Sequence, residues 1–188
     1  ADDRGGSRAR RQGVVVKVLF VCTANICRSA YAVRRAEALA EEGSALEFAS
    51  GGTLGTPGLP MSAEIAAELE QRGGSADGFE SARLGPEARS ADIVLTMENS
   101  HKAFVIDEYP ELITRTFTIR QFAAALEQLD PQVRGKAVVR SAYRFRRSSP
   151  GDVDDPYLRG AEAAHRCADE IDALLAAILP RLEPEAVG

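Results

Sequence analysis

The run Val14-Val15-Val16-Lys17-Val18-Leu19-Phe20-Val21 opens directly into Cys22-Thr23-Ala24-Asn25-Ile26-Cys27-Arg28-Ser29, and a helical stretch, roughly Ser29 to Glu42, follows at once. An almost unbroken apolar run of β-branched residues reads as a buried strand, so these segments fix a strand–loop–helix unit. In such a unit the loop N–H groups converge near the helix N-terminus, where the dipole adds positive potential, and the concavity suits a tetrahedral oxyanion. The same field favours the thiolate of a cysteine at its base, which is the nucleophilic form. Five residues separate Cys22 from Arg28, enough for the loop to curl until the guanidinium grips two oxygens of the anion. The residues read as a nucleophile set in a phosphate-binding loop.

A second segment, Asp152-Val153-Asp154-Asp155-Pro156-Tyr157, places carboxylic acids on a turn. The departing oxygen of a phosphate ester needs a proton, and such an acid supplies one. Pro156 restricts Asp155 to extended conformations and so directs its carboxyl group. Chemistry alone leaves Asp152 and Asp154 open beside it. Taken without the first motif, the segment is an acidic turn ahead of a helix.

Strand and helix signals alternate along the rest of the chain. Ala45 to Ser50 reads as a weak second strand, Gly51 to Leu59 as a Gly/Pro loop, and Ser62 to Gln71 as a helix closed by Gly73-Gly74. A strand at Asp92 to Thr96, a helix at Glu98 to Asp107, a fourth strand at Leu112 to Ile119 and a helix near Gln121 to Leu129 follow. The last helix has the clearest period, with Ala164, Cys167, Ala168, Ile171, Leu174, Leu175 and Ile178 on one face and Pro180 marking its end. A chain of 188 residues, 45% hydrophobic, buries one substantial core. The pattern predicts an α/β fold: a single three-layer domain with a four-stranded parallel sheet and helices on both faces. Ligands bind such sheets at the C-terminal ends of the strands, which is where the Cys22 loop falls. Residues 1–13, rich in Gly, Ser and Arg, read as a disordered basic tail, 14–183 as the folded domain and 184–188 as a short tail.

Val21-Cys22-Thr23-Ala24-Asn25-Ile26-Cys27-Arg28-Ser29, with Asp155-Pro156-Tyr157 downstream, resembles the signature of the low-molecular-weight protein tyrosine phosphatases. The likeness runs from about Val14 to the last helix. It implies strand order 2-1-3-4 and hydrolysis of phosphotyrosine, or aryl phosphate monoesters generally, through a phosphocysteine intermediate. Inorganic phosphate is then the product, with no cofactor and no metal. By the same resemblance Cys22 is the nucleophile, Arg28 binds phosphate, Asp155 is the general acid and Ser29 hydrogen-bonds the thiolate. Thr23, Ala24, Asn25, Ile26 and Cys27 complete the phosphate loop; Asn25 shapes it and Ser50 supports Asn25. Ile26 and Tyr157 match the walls that grip the substrate, and Leu54, taken as a third wall, stands near where the family often has an aromatic. Ala24 stands where the family usually has glycine, adding a methyl group at a tight turn. A family histidine ahead of a Lys/Ser-Ala-Arg stretch has no counterpart in Glu80-Ser81-Ala82-Arg83, which implies different wiring behind the loop. His101 and His165 lie elsewhere and are expected at the surface. For Cys27 the resemblance implies a reversible disulfide with Cys22 that protects the nucleophile; the other reading is a packed, inert thiol. Cys167, on an apolar helix face, is expected in the core.

The formal net charge of −5 argues against a nucleic-acid partner, and the basic residues are local, in Arg4 to Arg11 and Arg134 to Arg147. The second run reads as a solvated segment, with docking of an acidic partner as the alternative. No stretch is long and apolar enough to span a membrane, and no signal-peptide pattern opens the chain. Three cysteines, an odd number, fit a reducing cytoplasm. Three other functions use the same features. A small-molecule phosphatase of a biosynthetic pathway would share the site with a different pocket. An arsenate reductase needs further cysteines to carry a disulfide away, and none lies between Ser29 and Arg166. A phosphate-binding module would keep the loop without turnover.

Overall fold

The structure, a computed structural model, describes residues 15–146 and 151–184. The tail read at 1–13, the strand start at Val14, the end of the basic run at Arg147 and the last residues, 185–188, lie outside the described residues. Strand β1 (Val16–Cys22) is buried at every position except Lys17, which is why it reads as a nearly continuous apolar run. It pairs in parallel with β2 (Leu46–Gly52) on one side and with β3 (Ile93–Thr96) on the other; β4 (Thr116–Thr118) pairs with β3. The order is β2-β1-β3-β4, as expected. The register sets Cys22 opposite Gly52 and Val21 opposite Thr96, so three strands end level at one edge of the sheet.

The two faces follow the period-2 alternation of the strands. Val16, Val18, Phe20, Ile93, Leu95 and Phe117 face a large core, which is closed by α1 (Arg28–Leu39), α2 (Ala63–Gln71), α4 (Ile119–Leu126), α5 (Gly135–Ala142) and α6 (Gly160–Leu182). Leu19, Val21 and Val94 face a smaller cluster made with α3 (Asn99–Glu108) and two 3-10 segments, through Ala88, Val105, Tyr109 and Leu112. β2 is an edge strand with Glu47 and Ala49 exposed, which accounts for its weak signal.

Three expectations need correction. The fourth strand does not begin at Leu112: Pro110–Arg115 is a 3-10 segment that buries Leu112, leaving only Thr116–Thr118 as β4. Thr118 then caps α4, its hydroxyl accepting from Gln121 N at 3.1 Å while the Gln121 side chain returns to the Thr118 N–H, and this capping box cuts the strand short. The basic run is not merely a solvated segment. It contains α5, which packs Val138, Val139 and Ala142 into the core and turns its cations outward, with Lys136 paired to Asp92 at 2.8 Å. Finally, α6 passes through Pro180 to Leu182. A proline in the last turn removes one intrahelical bond and leaves the earlier ladder intact.

Candidate active site

Chain order explains where the site lies. β1 connects leftward to β2, and β3 lies on its right, so the sheet has its switch point between the C-terminal ends of β1 and β3. The Cys22 loop leaves β1 there, and Met97 to His101 leave β3 beside it.

The loop is fixed by a chain of hydrogen bonds whose direction can be worked out. The Ala82 N–H can only donate, and it donates to Asn25 Oδ1 at 2.9 Å. The Asn25 amide must therefore turn its NH2 the other way, and it donates to Ser29 Oγ and to Ser50 Oγ, each at 2.9 Å. Ser29 Oγ, already accepting, has its proton free for Cys22 Sγ at 3.0 Å. The Asn25 N–H also points at that sulfur, 3.3 Å away. Two donors converge on one buried sulfur, an arrangement that suits a thiolate. Asn25 sits at φ 59°, and asparagine is among the few side chains that tolerate the left-handed region. Ala24 stays outside the left-handed region, so its methyl group brings no backbone strain there.

Arg28 opens α1 and is 1% exposed. Its Nη1 donates to the Glu98 carboxylate and to the Val153 carbonyl, the latter at 2.9 Å; Nη2 lies 3.2 Å from Asp155 Oδ2. Burial works against its charge, but Glu98, Asp155 and Cys22 outweigh this and hold the group firmly protonated. Glu98 is also pulled two ways: burial favours its neutral form, and Arg28 more than offsets this, so its carboxyl lies below the usual range. Nε of Arg28 is buried without a partner among the described residues.

The three aspartates left open by sequence have different surroundings. Asp152 is engaged at the start of α3, accepting from Asn99 N at 2.8 Å and Asn99 Nδ2 at 2.9 Å. Asp154 is exposed. Asp155 faces Arg28, and its Oδ1 accepts from Tyr157 N at 3.2 Å. The segment is anchored to the sheet by Val153 N donating to Met97 O at 2.9 Å.

Of the wall residues, Ile26 is half-buried in the loop and Tyr157 is half-exposed two residues beyond Asp155. Leu54 is 65% exposed and its N–H donates to Thr23 O at 2.8 Å, which seats it beside the loop. Cys22, Cys27 and Cys167 are all free and buried. Cys27 donates to Ser62 Oγ at 3.2 Å, and burial pushes its thiol up to about 11 despite that bond. Cys167 is in the core, as expected.

Sequence reasoning missed Glu98 and misplaced His101. His101 is not at the surface: it is 3% exposed, and its Nε2 lies 2.8 Å from Thr23 Oγ1. α3 lacks a clean apolar period, so nothing local marks the inner side of its first turn. The available signal was topological, since residues directly after β3 reach the switch point. The His165 side chain remains largely exposed, near Glu68 and Asp169.

A family model described as "Low molecular weight phosphotyrosine protein phosphatase" matches residues 17–137. The protein-arginine-phosphatase of Geobacillus stearothermophilus is 26% identical over 174 residues, covering 90% of this chain and 97% of that protein. The low molecular weight protein-tyrosine-phosphatase Etp of Escherichia coli K12 is 33% identical over 115 residues, covering 61% and 76%. Among solved structures, a low molecular weight protein tyrosine phosphatase from T. tengcongensis superposes with a TM-score of 0.72 at 30% identity, covering 89% of this chain and 99% of that one.

Proposed function

The chain belongs to the low molecular weight phosphotyrosine protein phosphatase family, and on that premise we propose that Cys22, Arg28 and Asp155 hydrolyse aryl phosphate monoesters, phosphotyrosine in proteins above all. The observation that carries this reading is that one short loop joins a sulfur held by Ser29 and Asn25 to a guanidinium that faces Asp155.

In the first step the Cys22 thiolate attacks phosphorus in line. The S–P bond forms as the P–O bond to the leaving group breaks. Arg28 and the loop N–H groups face the non-bridging oxygens and stabilise their charge. Asp155, released from Arg28 once that guanidinium takes phosphoryl oxygens, enters this step as the neutral acid and gives its proton to the departing oxygen, leaving a carboxylate. In the second step Asp155 takes a proton from water, whose oxygen attacks phosphorus and breaks the S–P bond. Inorganic phosphate leaves and the thiolate is restored. A reducing compartment keeps Cys22 available for this cycle.

Two related proteins are named protein-arginine-phosphatases, which makes phosphoarginine the second reading. The surroundings of the loop favour the aryl ester. A phenyl ring buries apolar surface against Ile26, Leu54 and Tyr157, whereas a guanidinium gains no acceptor from Ile26 or Leu54. Comparing kcat/KM for a phosphotyrosyl peptide, the matching phosphoarginyl peptide and a sugar phosphate, with Cys22→Ser as control, tests both readings. Preference for phosphotyrosine with loss in the control supports the proposal. Preference for phosphoarginine transfers the site to the second reading, and preference for the sugar phosphate makes it a small-molecule phosphatase. A wild type that binds vanadate without turnover would reduce it to a binding module.

A further inference from the structure

The nucleophile loop is supported from two sides, and only one has an assigned role. On the β2 side, Ser50 and Ala82 hold Asn25, while Thr53 N and Leu54 N bond the carbonyls of Cys22 and Thr23 at 2.9 and 2.8 Å. On the α3 side, the side-chain contact is Thr23 Oγ1 with His101 Nε2 at 2.8 Å. Thr23 is bonded directly to the nucleophilic residue, so a shift there moves the sulfur.

His101 is an expensive way to fill space. It is buried, its Nδ1 has no partner among the described residues, and an apolar side chain of similar size would avoid desolvating two ring nitrogens. The groups facing it are Glu98 from its own helix, with Oε1 at 4.0 Å, Arg28 from α1, and Asp152 and Asp155 from the acid segment. Burial is the largest influence on the ring and keeps it neutral to lower pH than usual, against the pull of Glu98. Buried N–H groups are left unpaired more rarely than acceptors. The proton of the neutral ring therefore belongs on Nε2, which donates to Thr23 Oγ1, with Nδ1 as the bare acceptor.

We propose that His101 is a positioning residue for phosphoryl transfer, which from α3 holds Thr23 and with it the geometry in which the loop receives a tetrahedral oxyanion. The proposal rests on the reading of the Cys22 loop as a phosphoryl site. It assigns α3 a share in catalysis that its sequence does not announce.

The test uses His101→Leu, which fills the space without the bond, and His101→Gln, whose amide nitrogen reaches toward the Nε2 position. Each is made in the wild type and in Thr23→Val. Vanadate affinity is measured by calorimetry on the reduced protein, and kcat and KM with p-nitrophenyl phosphate. His101→Leu is expected to weaken vanadate binding about 10-fold and to lower kcat roughly 10- to 100-fold, while His101→Gln recovers to within about 3-fold. In Thr23→Val, His101→Leu should have no further effect. A leucine variant that binds vanadate as well as the glutamine variant, or losses that add regardless of Thr23, overturns the proposal. If His101→Leu does not fold, Thr23→Val alone decides, since unchanged vanadate affinity there is equally fatal. A wild type that hydrolyses no aryl phosphate refutes the phosphatase reading, and the vanadate titration still judges His101 separately.

Discussion

Gly52→Ala is expected to disable the site from outside it. A Cβ on Gly52 would lie 2.6 Å from the Thr23 carbonyl oxygen, 2.9 Å from the Ala24 carbonyl carbon and 3.0 Å from Asn25 N. All three are backbone atoms of the nucleophile loop, so no flexible side chain can give way. Strand β2 cannot retreat either, because Gly52 N donates to Ala82 O and Leu84 N donates to Gly52 O, both at 2.9 Å. Restoring ordinary contact at the closest atom takes about 0.8 Å of loop movement. Overpacking of this kind costs about 1–3 kcal/mol of stability, and a displacement near 1 Å at a reacting group costs on the order of 100-fold in rate, about 2.7 kcal/mol. Gly51→Ala is the control, since its Cβ meets Leu84 atoms no closer than 3.4 Å. The assay is kcat/KM on p-nitrophenyl phosphate beside the thermal midpoint. Gly52→Ala should lose activity at a temperature where it is fully folded, with Gly51→Ala close to wild type. A Gly52→Ala enzyme within about 3-fold of wild type would show that β2 does not set the loop's position, and the steric argument would fail.

Three further outcomes are expected. Asp155→Asn should lower kcat about 10²–10⁴-fold for poor leaving groups and less for activated ones, a difference that a leaving-group series reads directly. Iodoacetate at pH 8 should modify Cys22 before Cys27 or Cys167, whose thiols burial raises to about 11 and about 12; peptide mass mapping that finds Cys27 labelled first contradicts this. His101 is held below its ordinary 6.5 by burial, so below pH 6.5 the unfolded chain takes up a proton that the folded chain refuses. The stability present above that pH is lost as pH falls toward the folded-state value. Urea midpoints at pH 7.5 and 5.5 should therefore differ more in wild type than in His101→Gln.

The parts of the fold that sequence disclosed are those where local pattern and burial agree. β1 is buried on both faces, and α6 carries Ala164, Cys167, Ala168, Ile171, Leu175 and Ile178 into the core on one stripe. β4 was misjudged because the Leu112–Ile119 alternation also fits a 3-10 segment that buries Leu112 and then a capped helix. α5 was hidden because eight residues with only Val138, Val139 and Ala142 turned inward leave its basic face dominant. Within the site, the strand–loop–helix unit was legible because its chemistry is contiguous. Glu98 and His101 were not, since their meaning comes from β3 ending beside β1, a tertiary relation no local window contains. Asp155 is intermediate: Pro156 marks it, while the engagement of Asp152 with α3 and the exposure of Asp154 leave it as the one that faces Arg28.

The fastening of the acid segment has a consequence for tempo. Val153 is tied through its N–H to Met97 and through its carbonyl to Arg28, and Asp152 is tied to the start of α3. The carboxyl of Asp155 thus stands 3.2 Å from the Arg28 guanidinium, and as the proposed acid it would need only a turn of its side chain, a ps–ns event, instead of a μs–ms swing of backbone. On the proposed mechanism such a site would have no backbone closure to wait for. Solvent water would then reach the phosphocysteine directly, which would favour its hydrolysis over transfer of the phosphoryl group to another acceptor.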